Sequence, residues 1–211
     1  MIELCDVEKK LKGNTVLCNI NIRFRDNCVY LLQGPNGAGK TMLLKVLAGL
    51  IQPDVGTITM DKKYRVGVSF DTTAFRKNET VLENLKYLAR INNLITEADI
   101  QSALDDVLLR EQEKTLVRKL SLGMLQKLSI CQAVMEKPEL ILLDEPFNAL
   151  DTNAVDAVWN VITQLQSTGH IIVIAAHGID YTWASKFDGI ITMHDGRAEL
   201  NTHIQHLEGI I

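Results

Sequence analysis

The stretch "CVYLLQGPNGAGKTMLLKVL", residues 28–47, restricts the fold of this 211-residue chain more than any other. A short apolar run leads into a glycine-rich turn. A helical pattern follows from Lys40 to about Leu50, with Leu43, Leu44, Val46, Leu47 and Leu50 on one broad face. The turn, Gly34-Pro35-Asn36-Gly37-Ala38-Gly39-Lys40-Thr41, fills every fixed position of G-x-x-x-x-G-K-[ST]. Glycines there let successive backbone N–H groups wrap an anion without Cβ collisions. Lys40 can then reach the β- and γ-phosphates, and the Thr41 hydroxyl can ligate Mg²⁺. A glycine-rich strand-to-helix turn of purely structural origin is the competing reading. Motif and context together favour a nucleoside triphosphate site.

The surrounding pattern is β/α. The segments "IELCDV" and "TVLCNINIRF" read as strands, the second with partial alternation. Pro53, Asp54 and Gly56 mark a turn into "TITM", and "RVGVSF" is a further strand. From about Glu79 to Glu136 the pattern becomes helical, with Thr96 and Asp99 forming a cap pair at one helix start. After Pro138 the alternation resumes: "ELILLDE", a helix near 151–166, then the strands "IIVIAA" and "GIITM". Near-continuous apolar strands imply a sheet buried on both faces, hence mainly parallel. One domain over 1–211 is expected, its nucleotide-binding core (1–75 and 136–211) interrupted by a helical subdomain over 76–135.

Composition narrows the class. Apolar residues make up 46% and charged residues 23%, as in a folded soluble protein, and the net charge of −4 disfavours a nucleic-acid surface. The N-terminus has no basic start followed by an apolar core, and runs such as "IIVIAA" are far too short to cross a bilayer. Cys5, Cys18, Cys28 and Cys131 show no metal-ligand spacing and read as small buried hydrophobes in a reducing compartment. A cytosolic chain without direct membrane insertion is expected.

Two further motifs carry chemistry. "PELILLDEP" delivers Asp144 to the end of an apolar strand, the usual ligand edge of such a sheet. Asp144 would hold Mg²⁺ through water, and Glu145 would orient or deprotonate an attacking water. A solvated turn is the alternative for two adjacent acids. In "KLSLGMLQK", Ser121 and Gly123 sit at a helix start, where they suit a cap or a phosphate. Yet the first phosphate loop lies far upstream, at Gly34.

The set GPNGAGKT, LSLGM, LILLDEP, NALD and the histidine of IIVIAAH, in this order, closely resembles an ATP-binding-cassette (ABC) ATPase over nearly the whole chain. The resemblance implies a P-loop NTPase core of α/β class with a mainly parallel sheet, an antiparallel N-terminal β subdomain and an α-helical insertion. It implies ATP contacts along residues 34–41 and at Met42, with Glu145, His177 and Lys40 catalytic. In the family two domains pack head to tail, so that Ser121 and Gly123 would hold the γ-phosphate bound to the other copy. Asp151 of NALD would line the crossing between the copies, and is also a respectable helix cap. His177 would contact the γ-phosphate and keep the water and Glu145 in line. LSLGM departs from the commoner LSGGQ at Leu122 and Met124, and is similar to signatures of bacterial exporters for antimicrobial peptides.

Two positions depart from the family. Leu11 stands near where an aromatic ring usually stacks on adenine, which predicts weaker binding and poorer base discrimination. Asp71 stands where a glutamine is expected. It could ligate the metal through water, raise the negative charge near Glu145, or be a solvated loop acid if the register slips by one residue. The resemblance implies an ATP-hydrolysing subunit, a homodimer with ATP and Mg²⁺ as cofactors, that drives separate transmembrane permease subunits in export from the inner face of the membrane. The docking groove is expected around residues 72–90, with Phe75, Val81 and Leu85 as contacts. A non-transport ABC ATPase, transmitting force or regulation to a membrane partner, is the alternative. The soluble translation and DNA-repair members are disfavoured, having two cassettes or a long coiled coil.

Overall fold

The computed structural model describes residues 1–70, 75–177 and 181–202. In chain order the strands and α-helices are β1 (Ile2–Leu11), β2 (Asn14–Phe24), β3 (Val29–Gln33), α1 (Lys40–Leu47), β4 (Val55–Met60), β5 (Val66–Ser69), α2 (Val81–Asn92), α3 (Glu97–Asp106), α4 (Leu122–Val134), β6 (Leu140–Asp144), α5 (Thr152–Ser167), β7 (Ile171–Ala175), β8 (Gly189–His194) and β9 (Arg197–Thr202).

Two sheets form. β2, β1 and β4 make an antiparallel sheet in that order. The β1–β2 turn is Lys12-Gly13, and both residues have positive φ (48° and 85°), which matches the twist of a tight hairpin. The larger sheet runs β5-β6-β7-β3-β8-β9, parallel except for β9. Every residue of β6 and β7 is buried, as expected for strands covered on both faces. One apolar cluster gathers α2–α5 on one side, and a second holds the small sheet and α1 on the other. β3 lies between β7 and β8, so the loop after it opens at the sheet's carboxyl edge, beside the ends of β6 and β7.

Local chemistry explains the helix limits. Thr96 and Asp99 form the expected reciprocal cap of α3, and Thr80 with Glu83 does the same for α2. α1 ends at Leu47, short of Leu50, because Gly49 takes a left-handed conformation (φ 71°) that turns the chain away. β9 goes beyond what the sequence pattern marked. It pairs with β8 through a tight turn at Asp195-Gly196, again with both φ positive.

The expected docking contacts Val81 and Leu85 are wholly buried, and Phe75 packs against the same core. Their side chains hold α2 against α3 and α4, because helical burial of the apolar stripe outweighs its exposure. α2 instead exposes Tyr87, Ile91 and, just past its end, Leu94.

Candidate nucleotide site

The glycine-rich turn between β3 and α1 is shaped by its neighbours. A Cβ on Gly34 would stand 2.3 Å from the Met193 carbonyl oxygen, and one on Gly39 (φ 105°) would stand 2.8 Å from that of Val16. Only glycine tolerates such approaches. The loop closes on itself and on the hairpin: Ala38 N–H donates to the Pro35 carbonyl, and Gly196 N–H donates to the Ala38 carbonyl. Lys40 is buried, and its ammonium donates to the carbonyls of Gly34 (2.8 Å) and Pro35 (3.2 Å). The cation is thus held over the loop.

α1 begins directly after the loop, so Thr41 sits in its first turn. Its hydroxyl donates to Asp144 Oδ2 at 2.6 Å. Asp144 ends β6 and is buried. A hydroxyl and a carboxylate side by side form the oxygen donor set that a hard, largely hydrated cation such as Mg²⁺ accepts. Among the described residues no group of three or more His, Cys, Asp or Glu could hold a metal.

Glu145 follows Asp144 in the left-handed region (φ 50°), while its N–H donates to the Ala175 carbonyl at 2.7 Å. A non-glycine residue held there stores strain, and such strain concentrates at functional sites. The bend turns the carboxylate toward the chain leaving β7: Glu145 Oε1 lies 2.5 Å from His177 Nδ1. Register makes this possible, since Asp144 pairs with Ala175.

Lys40, Thr41, Asp144 and Glu145 border one open cleft of about 530 Å³, whereas His177 is not among its lining residues and reaches it only through its contact with Glu145. Of the sequence-predicted residues, Asn36, Gly37, Gly39, Lys40, Thr41, Met42, Asp144 and Glu145 line it. Gly34 and Pro35 act from behind, through Lys40, and Ala38 is buried beneath the loop. Val16, Lys45, Phe70 and Asn148 also line the cleft. Only Asn148 carried a signal, as the first residue of NALD; the others arrive from sheet and helix geometry.

Several predicted residues lie elsewhere. Leu11, at the end of β1, is 43% exposed and does not line the cleft, whereas Val16 from the facing strand does. Ser121 caps α4, its Oγ accepting from Met124 N–H at 3.3 Å, and Gly123 packs so closely on the next loop that a Cβ would stand 2.5 Å from the Ala149 carbonyl oxygen. Neither lines the cleft. Asp151 caps α5, accepting from Ala154 N–H at 2.9 Å. Asp71 lies outside the described residues.

Comparison with known proteins agrees. The family model for the ABC transporter matches residues 17–148. An uncharacterized ABC transporter ATP-binding protein of Bacillus subtilis (strain 168) is 36% identical over 213 residues, covering 97% of each chain. A bacitracin transport ATP-binding protein of Enterococcus faecalis is 31% identical over 218 residues, covering 98% of this chain and 70% of that one. Among solved structures, an ATP-binding subunit of an ABC transporter superposes with a TM-score of 0.87 at 24% identity, covering 96% of this chain and 90% of that one. A dimeric bacterial ABC transporter cassette gives 0.87 at 23%, with coverages of 96% and 98%. The phosphate loop, the acidic strand end and this breadth of likeness lead to one conclusion: the chain belongs to the ABC transporter family, as an ATP-binding subunit.

Proposed function

We propose that this chain binds ATP with Mg²⁺, hydrolyses it, and as a head-to-tail homodimer drives separate membrane subunits that export their substrate. One observation carries the reading: the Thr41–Asp144 pair and Glu145 meet at the cleft beside the phosphate loop, with His177 against the Glu145 carboxylate. The loop N–H groups and Lys40 bind the β- and γ-phosphates. Thr41 and Asp144 hold Mg²⁺, which when bound neutralises charge between those phosphates; Asp71 is a further candidate ligand through water. Glu145 orients the attacking water and accepts its proton, while His177 keeps that carboxylate aimed along the line of attack.

Ser121 and Gly123 do not line their own chain's cleft, which supports a role toward a second copy. There the first turn of α4, with its N–H groups and positive dipole end, would meet the neighbour's γ-phosphate. ATP then joins the copies, and its cleavage releases them. Asp151 and the loop before it lie along the same crossing.

Among the described residues no helix is long and apolar enough to cross a membrane. Membrane subunits would therefore be met through a surface, at the inner face of the membrane. Tyr87, Ile91 and Leu94 are 47%, 70% and 52% exposed at helical spacing, and the Arg76 guanidinium lies 3.7 Å from the Tyr87 ring centre. These replace Val81 and Leu85 as docking candidates. The bacitracin-transport relative supports a peptide-antibiotic cargo for this chain.

Glu145→Gln tests the reading. With MgATP the variant should form dimers visible by light scattering and release phosphate slowly, and Ser121→Ala in the same background should remove the dimers. A monomer that hydrolyses at full rate, unaffected by dilution or by loss of Ser121, overturns it. Copurification of membrane subunits that move no compound would favour force transmission without transport.

A further inference from the structure

Glu145 and Ala149 lie in the loop between β6 and α5, and both hold left-handed conformations (φ 50° and 61°) although neither is glycine. Such conformations persist only where the surroundings over-determine them. α4 makes a contact at each of the two. Gln126 Nε2 donates to the Glu145 carbonyl at 3.5 Å, and the Asn148 N–H donates to the same oxygen at 3.3 Å. Gly123 meets the second strained residue: a Cβ there would stand 2.5 Å from the Ala149 carbonyl oxygen. Only glycine lets the helix come so close.

Helical spacing explains how one helix reaches both carbonyls. Gly123 and Gln126 are three residues apart in α4, so they share a face, and their contacts turn that face to the loop. Further along, the helix is fixed to the sheet. Ser129 Oγ lies 2.7 Å from Ser69 Oγ, at the end of β5, and both residues are buried. A Cβ on Gly67 of the same strand would stand 1.9 Å from the Ala133 carbonyl oxygen. A buried, satisfied polar pair beside so close a backbone approach holds α4 in one register on β5. The loop therefore rests on a helix that is itself anchored. Between the two α4 contacts Phe147 stacks on Trp159 of α5, so the carbonyls of Glu145 and Ala149 are the points at which α4 bears on the loop.

We infer that Gln126 is a positioning residue for hydrolysis: with Gly123 it seats the loop on α4 and so sets where Glu145 stands. Gln126 does not line the cleft, and acts through the Glu145 backbone. The inference rests on the reading of Glu145 as the group that orients and deprotonates the attacking water. A glutamine suits the task because its amide N–H can donate to a carbonyl without bringing a charge beside the carboxylate.

The test uses Gln126→Met and Gln126→Lys in the full chain. Methionine keeps the length and loses the donor, whereas lysine keeps an N–H donor on a stem of similar reach. Gln126→Met should lower kcat for ATP at least fivefold, while KM and the Kd for a non-hydrolysable ATP analogue change less than twofold. Gln126→Lys should recover at least half of the lost rate. A double variant separates positioning from general loosening. In a Glu145→Gln background, Gln126→Met should lower the residual rate of phosphate release less than twofold, because the group it positions is already gone. Unchanged kcat in Gln126→Met, a fall matched by an equal rise in KM and Kd, equal losses in the two variants, or the full fivefold loss on top of Glu145→Gln would each overturn the inference. Full turnover in Glu145→Gln alone would instead remove Glu145 as the base. Should Gln126→Met fail to fold, Gln126→Glu, which keeps the shape and loses the donor, is carried through the same measurements with the same outcomes.

Discussion

Thr41 Oγ1 stands 2.6 Å from Asp144 Oδ2 across 103 residues of chain. The contact joins the first turn of α1 to the buried end of β6, and puts the two oxygen donors of the proposed Mg²⁺ site in register. Removing the hydroxyl leaves a buried carboxylate short of one partner and the cation short of one ligand. Charge-assisted bonds of this kind are worth about 1.5–3 kcal/mol. Thr41→Ala should therefore weaken Mg²⁺ binding to the ATP complex by about tenfold or more, while metal-free ATP affinity stays near its original value. Thr41→Ser should restore it. Titration of Mg²⁺ by calorimetry checks this, and equal Mg²⁺ affinity in Thr41→Ala would take the hydroxyl out of the metal site.

Glu145 and His177 give a second expectation. A positioned base contributes about 10²–10⁴-fold to a proton transfer. Glu145→Gln should lose at least about 10²-fold in kcat under saturating MgATP. His177→Ala should lose less, about tenfold or more, because it removes the support of the carboxylate and leaves the carboxylate itself. Single-turnover phosphate release separates the two. A larger loss at His177 than at Glu145 would reverse the assignment of base and support.

Much of this site was legible because its parts are local. The phosphate loop is one continuous stretch whose glycines are demanded by close backbone approach at Gly34 and Gly39, so its residues announce themselves together. Asp144 and Glu145 stand at the end of a run of apolar residues, a position that a parallel sheet turns into its ligand edge. Val16 and Phe70 gave no such signal: they reach the cleft because β2 and β5 pass it, and strand packing is a non-local fact. Val81 and Leu85 misled for a related reason. An amphipathic stripe shows which residues share a face, while only the packing of α2 on its neighbours shows that this face is the buried one. β9 had a local marker in Asp195-Gly196, whose paired positive φ values make the tight hairpin.

The side chain that the β1–β2 hairpin brings to the cleft is aliphatic. Leu11 is 43% exposed at the end of β1, and Val16 is the neighbouring apolar side chain that lines the cleft. Aliphatic groups give contact area but no π-face, so ATP and GTP should bind within a fewfold of one another. Stacking a base on an aromatic ring is worth about 1–3 kcal/mol. Leu11→Tyr should then tighten ATP by about fivefold or more and widen its margin over GTP. Competition of both nucleotides against a fluorescent ATP analogue measures the ratio. Unchanged affinity would show that the hairpin end stays clear of the base.

The start of β6 carries a pH-dependent term unrelated to catalysis. Arg65 donates through Nε and Nη2 to the Glu139 carboxylate, and its backbone N–H donates to the same group at 3.0 Å. The guanidinium also reaches the carbonyls of Glu136 and Lys137, so it is held in place with the acid protonated or not. Its hydrogen bonds draw the Glu139 carboxyl down from 4.5 to about 2. A folded-state value below the unfolded one means that the unfolded chain takes up the proton first as pH falls. The stabilisation is thus fully present above about 4.5 and drains away between there and about 2. The pair is a third to two-fifths exposed, at 33% and 42%, so solvent screening limits its worth. Its contribution at pH 7 is no more than about 1 kcal/mol. Glu139→Gln should lower the urea midpoint slightly at pH 7, and the gap from the unmodified protein should close as pH falls through that window. Two midpoints that fall in parallel from pH 7 to the acid limit would show that this carboxylate is not a source of the acid sensitivity.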